Sequence, residues 1–71
     1  MAKKEVALTN KQSDVLKLII EGYHNNQIAE MLNVKLNTIE RHRATIMIKL
    51  GIHHLPGLVK YGLKHGLTTL D

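Results

Sequence analysis

The sequence predicts an all-α domain of four helices. Apolar residues recur at helical spacing in four successive stretches, and no stretch alternates in the manner of a strand. Each stretch runs into a glycine or asparagine (Gly22, Asn33, Gly51, Gly66), the residue types that close helices in the left-handed conformation. The length of 71 residues allows one small domain, and 44% hydrophobic residues suffice to fold it. Two tyrosines are the only aromatics, so the core must be aliphatic.

Composition also excludes function classes. No cysteine is present, which removes disulfides, thiolate metal sites and a cysteine nucleophile. The longest apolar run, Val15 to Ile20, is broken by Lys17 and falls far short of the ~20 residues of a membrane span. The start, Met1-Ala2-Lys3-Lys4-Glu5, has no apolar stretch behind it and does not read as a signal peptide. A cytoplasmic, non-membrane domain is the expectation, with little core left over to wall a catalytic pocket.

The first helix opens on Thr9-Asn10-Lys11-Gln12, the pattern of a capping box, with Leu8 ready to staple onto the first turn. From Asn10 to Glu21, Val15, Leu16, Ile19 and Ile20 share a stripe with Leu18 at its margin, and Gly22 ends it. The second helix starts in His24-Asn25-Asn26, where Asn25 is the better capping side chain. Ile28, Ala29, Met31 and Leu32 form its apolar face, Asn33 turns the chain, and Val34 is a lone apolar residue in a tight corner. The third helix spans Leu36 to Leu50, a rod of roughly 22 Å. On a wheel at ~100° per residue, Ile46 and Leu50 lie within about 20° of Ile39, flanked by Leu36 and Met47. The opposite side holds Asn37, Arg41, Ala44 and Ile48, with Glu40 and Thr45 at its edges. After a connector over Ile52-His53-His54-Leu55, Pro56 opens a fourth helix containing Leu58, Val59, Tyr61 and Leu63, closed by Gly66. Residues 1–7 read as a tail or linker remnant, 8–67 as the domain and 68–71 as a second tail.

Charge is distributed unevenly. Residues 1–34 carry four lysines against four acids and are neutral; residues 35–65 carry six basic residues against Glu40 alone, and Asp71 brings the total to +4. Such asymmetry points to a polyanion or an acidic surface as partner. The second and third helices meet at a steep elbow, with small Ala29 at the close approach, Asn33 in the turn and Ile28, Leu32, Val34 and Ile39 at the buried contacts. This is a helix-turn-helix pattern, whose second helix enters the major groove. Asn37, Glu40, Arg41 and Ala44 are its candidate base-reading face. Arg41 suits guanine O6 and N7, Glu40 suits cytosine N4, and Ala44 leaves room for a thymine methyl. Lys35, Thr38, Arg43, Thr45 and Lys49 flank that face as candidate phosphate contacts, and Asn25 and Asn26 add backbone amides at the second helix's start.

The joint spacing of Leu8-Thr9, Val15-Leu16, Ile19, Gly22, Asn25, Ile28-Ala29, Leu32, Val34, Thr38-Ile39, His42, Ile46, Lys49-Leu50-Gly51, Leu58-Val59, Tyr61 and Gly66-Leu67 resembles the LuxR/FixJ/NarL-type DNA-binding domain. The likeness covers about residues 8–67. Thr38-Ile39-Glu40-Arg41-His42-Arg43 followed by Ile46-Met47-Ile48-Lys49-Leu50 looks most like output domains of two-component response regulators. The resemblance implies double-stranded DNA binding by the third helix, a weak homodimer through Val59, Lys60 and Leu63 of the fourth, and a receiver domain in a longer chain. RNA polymerase is a further candidate partner. Departures from the family pattern fall at Lys11-Gln12, His24, Lys35, Glu40, Leu55 and Gly57.

The remaining chemistry reads as structural. His53 and His54 are adjacent and point apart, His42 lies on the flank of the third helix, and no carboxylate is close in sequence to His53-His54, so no metal and no cofactor is expected. Ser13 and Asp14 lack a nucleophile turn and an oxyanion loop, so the chain does not read as an enzyme. Met31 and Met47 read as core fillers. Two rival readings come from other classes: a basic helical protein-interaction module that binds an acidic partner through Lys60 and Lys64, without sequence-specific DNA binding, and a small metalloprotein using the histidines.

Overall fold

The computed structural model describes residues 8–67; the tails expected at 1–7 and 68–71 lie outside the described residues. Four helices follow in order, α1 (Asn10–Ile20), α2 (Asn25–Leu32), α3 (Leu36–Leu50) and α4 (Leu55–Lys64), and the described residues contain no strand.

The capping box at the start of α1 forms as the sequence predicts. Gln12 N–H donates to Thr9 Oγ1 at 3.1 Å, and Thr9 N–H donates to Gln12 Oε1 at 3.1 Å. The start of α2 differs. His24 is the N-cap and Asn25 the first helical residue, so Asn25 does not cap; Gln27 reaches back instead, its Oε1 accepting from His24 N–H at 2.8 Å. At α4 the cap is an imidazole, with His54 Nδ1 accepting from Gly57 N–H at 3.1 Å.

All four helices end in the same way. Tyr23, Val34, Ile52 and Leu67 each donate their N–H to the carbonyl five residues back, on Leu18, Ala29, Met47 and Gly62, at 3.1, 2.9, 3.2 and 2.8 Å. The residue before each of them, Gly22, Asn33, Gly51 or Gly66, has positive φ. This paired closure satisfies carbonyls that a helix end otherwise leaves bare, and it aims the next apolar side chain back at the helix. Val34, Ile52 and Leu67 accordingly pack against the core.

That core is wholly aliphatic: Val15, Leu16 and Ile19 from α1, Ile28 and Ala29 from α2, Ile39 and Ile46 from α3, and Leu58 from α4. α1 packs against each of the other three helices, and α2 packs against α3. Buried Gly62 sets the approach of α4 to α1, because a methyl group there would overlap the δ-methyl of Ile20. Two apolar residues do not join as the wheel suggests. Leu36 is 44% exposed and Met31 is 50% exposed, so Met31 is not a core filler, whereas Met47 does pack against the core. Both lie at the margin of an apolar stripe, outside the packed cluster.

Gln12 is the one buried polar residue among those described, and its position explains it. Its Oε1 accepts from Thr9 N–H and also from Lys49 Nζ at 2.8 Å, tying the first turn of α1 to the last turn of α3. Gln12→Leu keeps the bulk and strips both donors of this acceptor. The expected cost is about 1–3 kcal/mol, read as a lower urea midpoint. Gln12→Glu retains the acceptor and should leave the midpoint at or above that of the unchanged chain; equal losses in both variants would deny the tie.

Candidate nucleic-acid interface

The elbow between α2 and α3 is fixed by backbone chemistry. Asn33 sits at φ 59°, ψ 48°, and its N–H reaches Glu30 O at 3.2 Å while Val34 N–H reaches Ala29 O. Asparagine tolerates this conformation better than other side-chain-bearing residues, which is why it substitutes for glycine there. Ile28 and Ile39 are fully buried on either side of the elbow, and Ala29 is nearly so. The angle of α3 is therefore set jointly by the turn's backbone geometry and by these packed aliphatic contacts.

With Ile39 and Ile46 facing inward, the opposite side of α3 is left open. Asn37, Glu40, Arg41 and Ala44 are all exposed, and Ile48 on the same stripe is 73% exposed. An amide, a carboxylate, a guanidinium and a methyl thus stand along one ridge, on a helix that fits a groove ~12 Å wide. All four residues of the predicted base-reading face are brought together there.

The flanking set is more mixed. Lys35 and Asn26 are exposed; Asn25, Thr38, Arg43, Thr45 and Lys49 are half-buried. Lys35 is the N-cap of α3 and its side chain makes no cap; Thr38 N–H donates to Lys35 O at 3.0 Å, so the uncapped amides are those of Leu36 and Asn37. Arg43 Nη1 donates to Asn25 Oδ1 at 3.1 Å, clamping the start of α2 onto α3. A guanidinium has five N–H donors, so this bond leaves most of them for another acceptor. Lys49 is committed to Gln12, which gives it a structural task that its position on α3 did not suggest.

On α4, Lys60 is exposed and Leu63 is 52% exposed, while Val59 is half-buried; the expected dimer strip is open at two of its three positions. Leu36 and Leu55 line a cleft of about 590 Å³ together with Tyr23, Glu40 and Arg43. That cleft is where the exposed Leu36 side chain goes. No three His, Asp, Glu or Cys side chains gather at a metal site, and no helix is long and apolar enough to cross a membrane, among the described residues.

Two contacts escape a reading of spacing, and a third does not. The Arg43–Asn25 and Lys49–Gln12 bonds join residues 18 and 37 apart, for which one-dimensional periodicity carries no signal. The His54 cap does have one: a side-chain acceptor three residues before an amide, just ahead of a proline in the first turn.

A profile described as "Bacterial regulatory proteins, luxR family" matches residues 6–61. The oxygen regulatory protein NreC of Staphylococcus aureus strain JH9 is 45% identical over 60 residues, 84% of this chain and 28% of the relative. NreC of strains Mu3 / ATCC 700698 and MSSA476 match to the same extent. The chain spans just over a quarter of the length of these curated relatives.

Proposed function

The chain belongs to the luxR family of bacterial regulatory proteins and carries that family's helix-turn-helix DNA-binding domain, and from this premise we propose that it reads a specific double-stranded sequence as the output domain of a longer transcription regulator. The observation that carries the reading is the exposed ridge Asn37–Glu40–Arg41–Ala44 on the side of α3 turned away from a fully packed core. In this reading α3 lies in the major groove. Arg41 takes a guanine edge, Glu40 a cytosine amine, Ala44 faces a thymine methyl, and Asn37 sits at the helix start where the ridge meets the bases. Lys35, the free donors of Arg43, Thr38, Thr45 and the amides at Asn25 and Asn26 meet phosphates, with Lys49 at the far end of the same flank. NreC is by name an oxygen regulatory protein; a receiver domain ahead of this one, two-fold pairing through Val59, Lys60 and Leu63 on half-sites about one helical turn apart, contact with RNA polymerase, and a cytoplasmic setting complete the proposal.

Selection of bound duplexes from a random pool tests it directly. A consensus should emerge, and the 71-residue chain should bind it at least ~10³-fold more tightly than random DNA at the same salt. Equal affinity for consensus and random duplex would leave only a basic helical module. Lys35→Ala separates positioning from reading. Lys35 is exposed and caps α3 with its backbone alone, so its loss should weaken consensus and random DNA alike and reduce the salt slope by about 1. A loss confined to the consensus would move Lys35 to the bases.

A further inference from the structure

A second concave site lies on the outer side of α4, away from the ridge of α3. It is a shallow, open depression of about 320 Å³ lined by Gly51, Ile52, His54, Gly57, Lys60, Tyr61, Lys64 and His65. Half of those residues are basic or titratable nitrogen side chains, and none is acidic. Lys60 and Lys64 stand one turn apart on the same helix face, a like-charge arrangement that works against an isolated helix. The described acids, Asp14, Glu21, Glu30 and Glu40, all belong to or border α1, α2 and α3, so α4 carries no carboxylate to offset them.

The walls are built from defined contacts. Because His54 Nδ1 accepts from Gly57 N–H, the neutral ring carries its proton on Nε2, so its remaining polar group is a donor. The rings of Tyr61 and His65 stack at 4.2 Å between centroids, tilted by 30°. Ile52 is packed against the core and gives the site an apolar floor. Donors and cations at the rim over an aliphatic and aromatic floor match a carboxylate side chain with its methylenes and an apolar neighbour.

We propose that this pocket docks an acidic peptide segment of a partner protein, with Lys60 and Lys64 pairing its carboxylates and the Tyr61–His65 stack covering an adjacent apolar side chain. The site is separate from the DNA-reading ridge, but it shares Lys60 with the proposed pairing strip of α4, so a docked peptide and that pairing would compete for this side chain.

The test titrates the isotope-labelled 71-residue chain with a short synthetic peptide alternating glutamate and leucine, and with its glutamine counterpart. Saturable amide shifts at Gly57, Lys60, Tyr61, Lys64 and His65 are expected with the glutamate peptide and not with the glutamine one. Lys60→Ala/Lys64→Ala should weaken binding about three- to tenfold, the size of two exposed charge pairs. Both side chains are solvent-exposed, so the thermal midpoint should hold; the shifts on the unchanged chain locate the site independently of the variant. The proposal fails if no saturable shift appears in the pocket, or if shifts spread equally over Lys35 and Arg41. It fails equally if inorganic phosphate reproduces the shifts at the same concentration, or if the double variant loses random-duplex affinity with a shallower salt slope, which would make the pocket a nucleic-acid surface.

Discussion

Arg41→Ala should weaken binding to the selected duplex by roughly fivefold to 150-fold, about 1–3 kcal/mol, and should leave the thermal midpoint where it was. Arg41 is exposed in the middle of the α3 ridge. It touches nothing in the core, so its removal has no route to stability. In the groove its two parallel N–H bonds to guanine O6 and N7 are the commonest specific contact that a helix makes, and an alanine leaves the base edge unpaired and desolvated. The loss should therefore be concentrated at one base pair, with discrimination at that position relaxed and the rest of the consensus intact. Arg41→Lys keeps the charge and gives up the fork, so it should recover affinity for random DNA without recovering discrimination. Equal losses on consensus and random duplex would reassign Arg41 to the backbone.

What made this ridge readable in one dimension was the opposition of two stripes on α3. Ile39 and Ile46 recur at the spacing of one face, and Asn37, Arg41, Ala44 and Ile48 recur on the other; all six fall where the wheel puts them. Helix ends were equally readable, because only glycine and asparagine enter the left-handed conformation cheaply and each of Gly22, Asn33, Gly51 and Gly66 occupies it. Marginal positions were not readable. Leu36 and Met31 have the apolarity of core residues and the right period, but burial needs a facing partner, and that depends on where a neighbouring helix stops. The same holds for the ties that brace the site. Nothing in the local sequence of Lys49 or Arg43 distinguishes a phosphate ligand from a residue bonded to Gln12 or Asn25.

Ile39→Ala should do the reverse of Arg41→Ala: it should collapse the domain while removing no group that touches DNA. Ile39 is two residues from Arg41, about 200° around the helix, fully buried in the cluster that joins α1, α2 and α3. Truncating a buried isoleucine to alanine costs about 2–5 kcal/mol, the transfer of the lost carbons plus the cavity they leave. A chain of this length has a total stability of roughly 4–10 kcal/mol, so the variant gives up about half of it. Each kcal/mol is worth about 4–8 °C at this size, which puts the expected fall in melting midpoint at roughly 10–30 °C. Duplex binding should then fall only in proportion to the unfolded fraction, because the ridge is intact in every folded molecule. An osmolyte such as trimethylamine oxide, which favours the compact state, should restore binding by Ile39→Ala and leave Arg41→Ala as weak as before. If the osmolyte rescues neither variant, Ile39 is shaping the ridge itself and not merely holding the helix that carries it. If Ile39→Ala melts with the unchanged chain, the elbow is not anchored by this core, and a groove-fitting angle for α3 loses its physical basis.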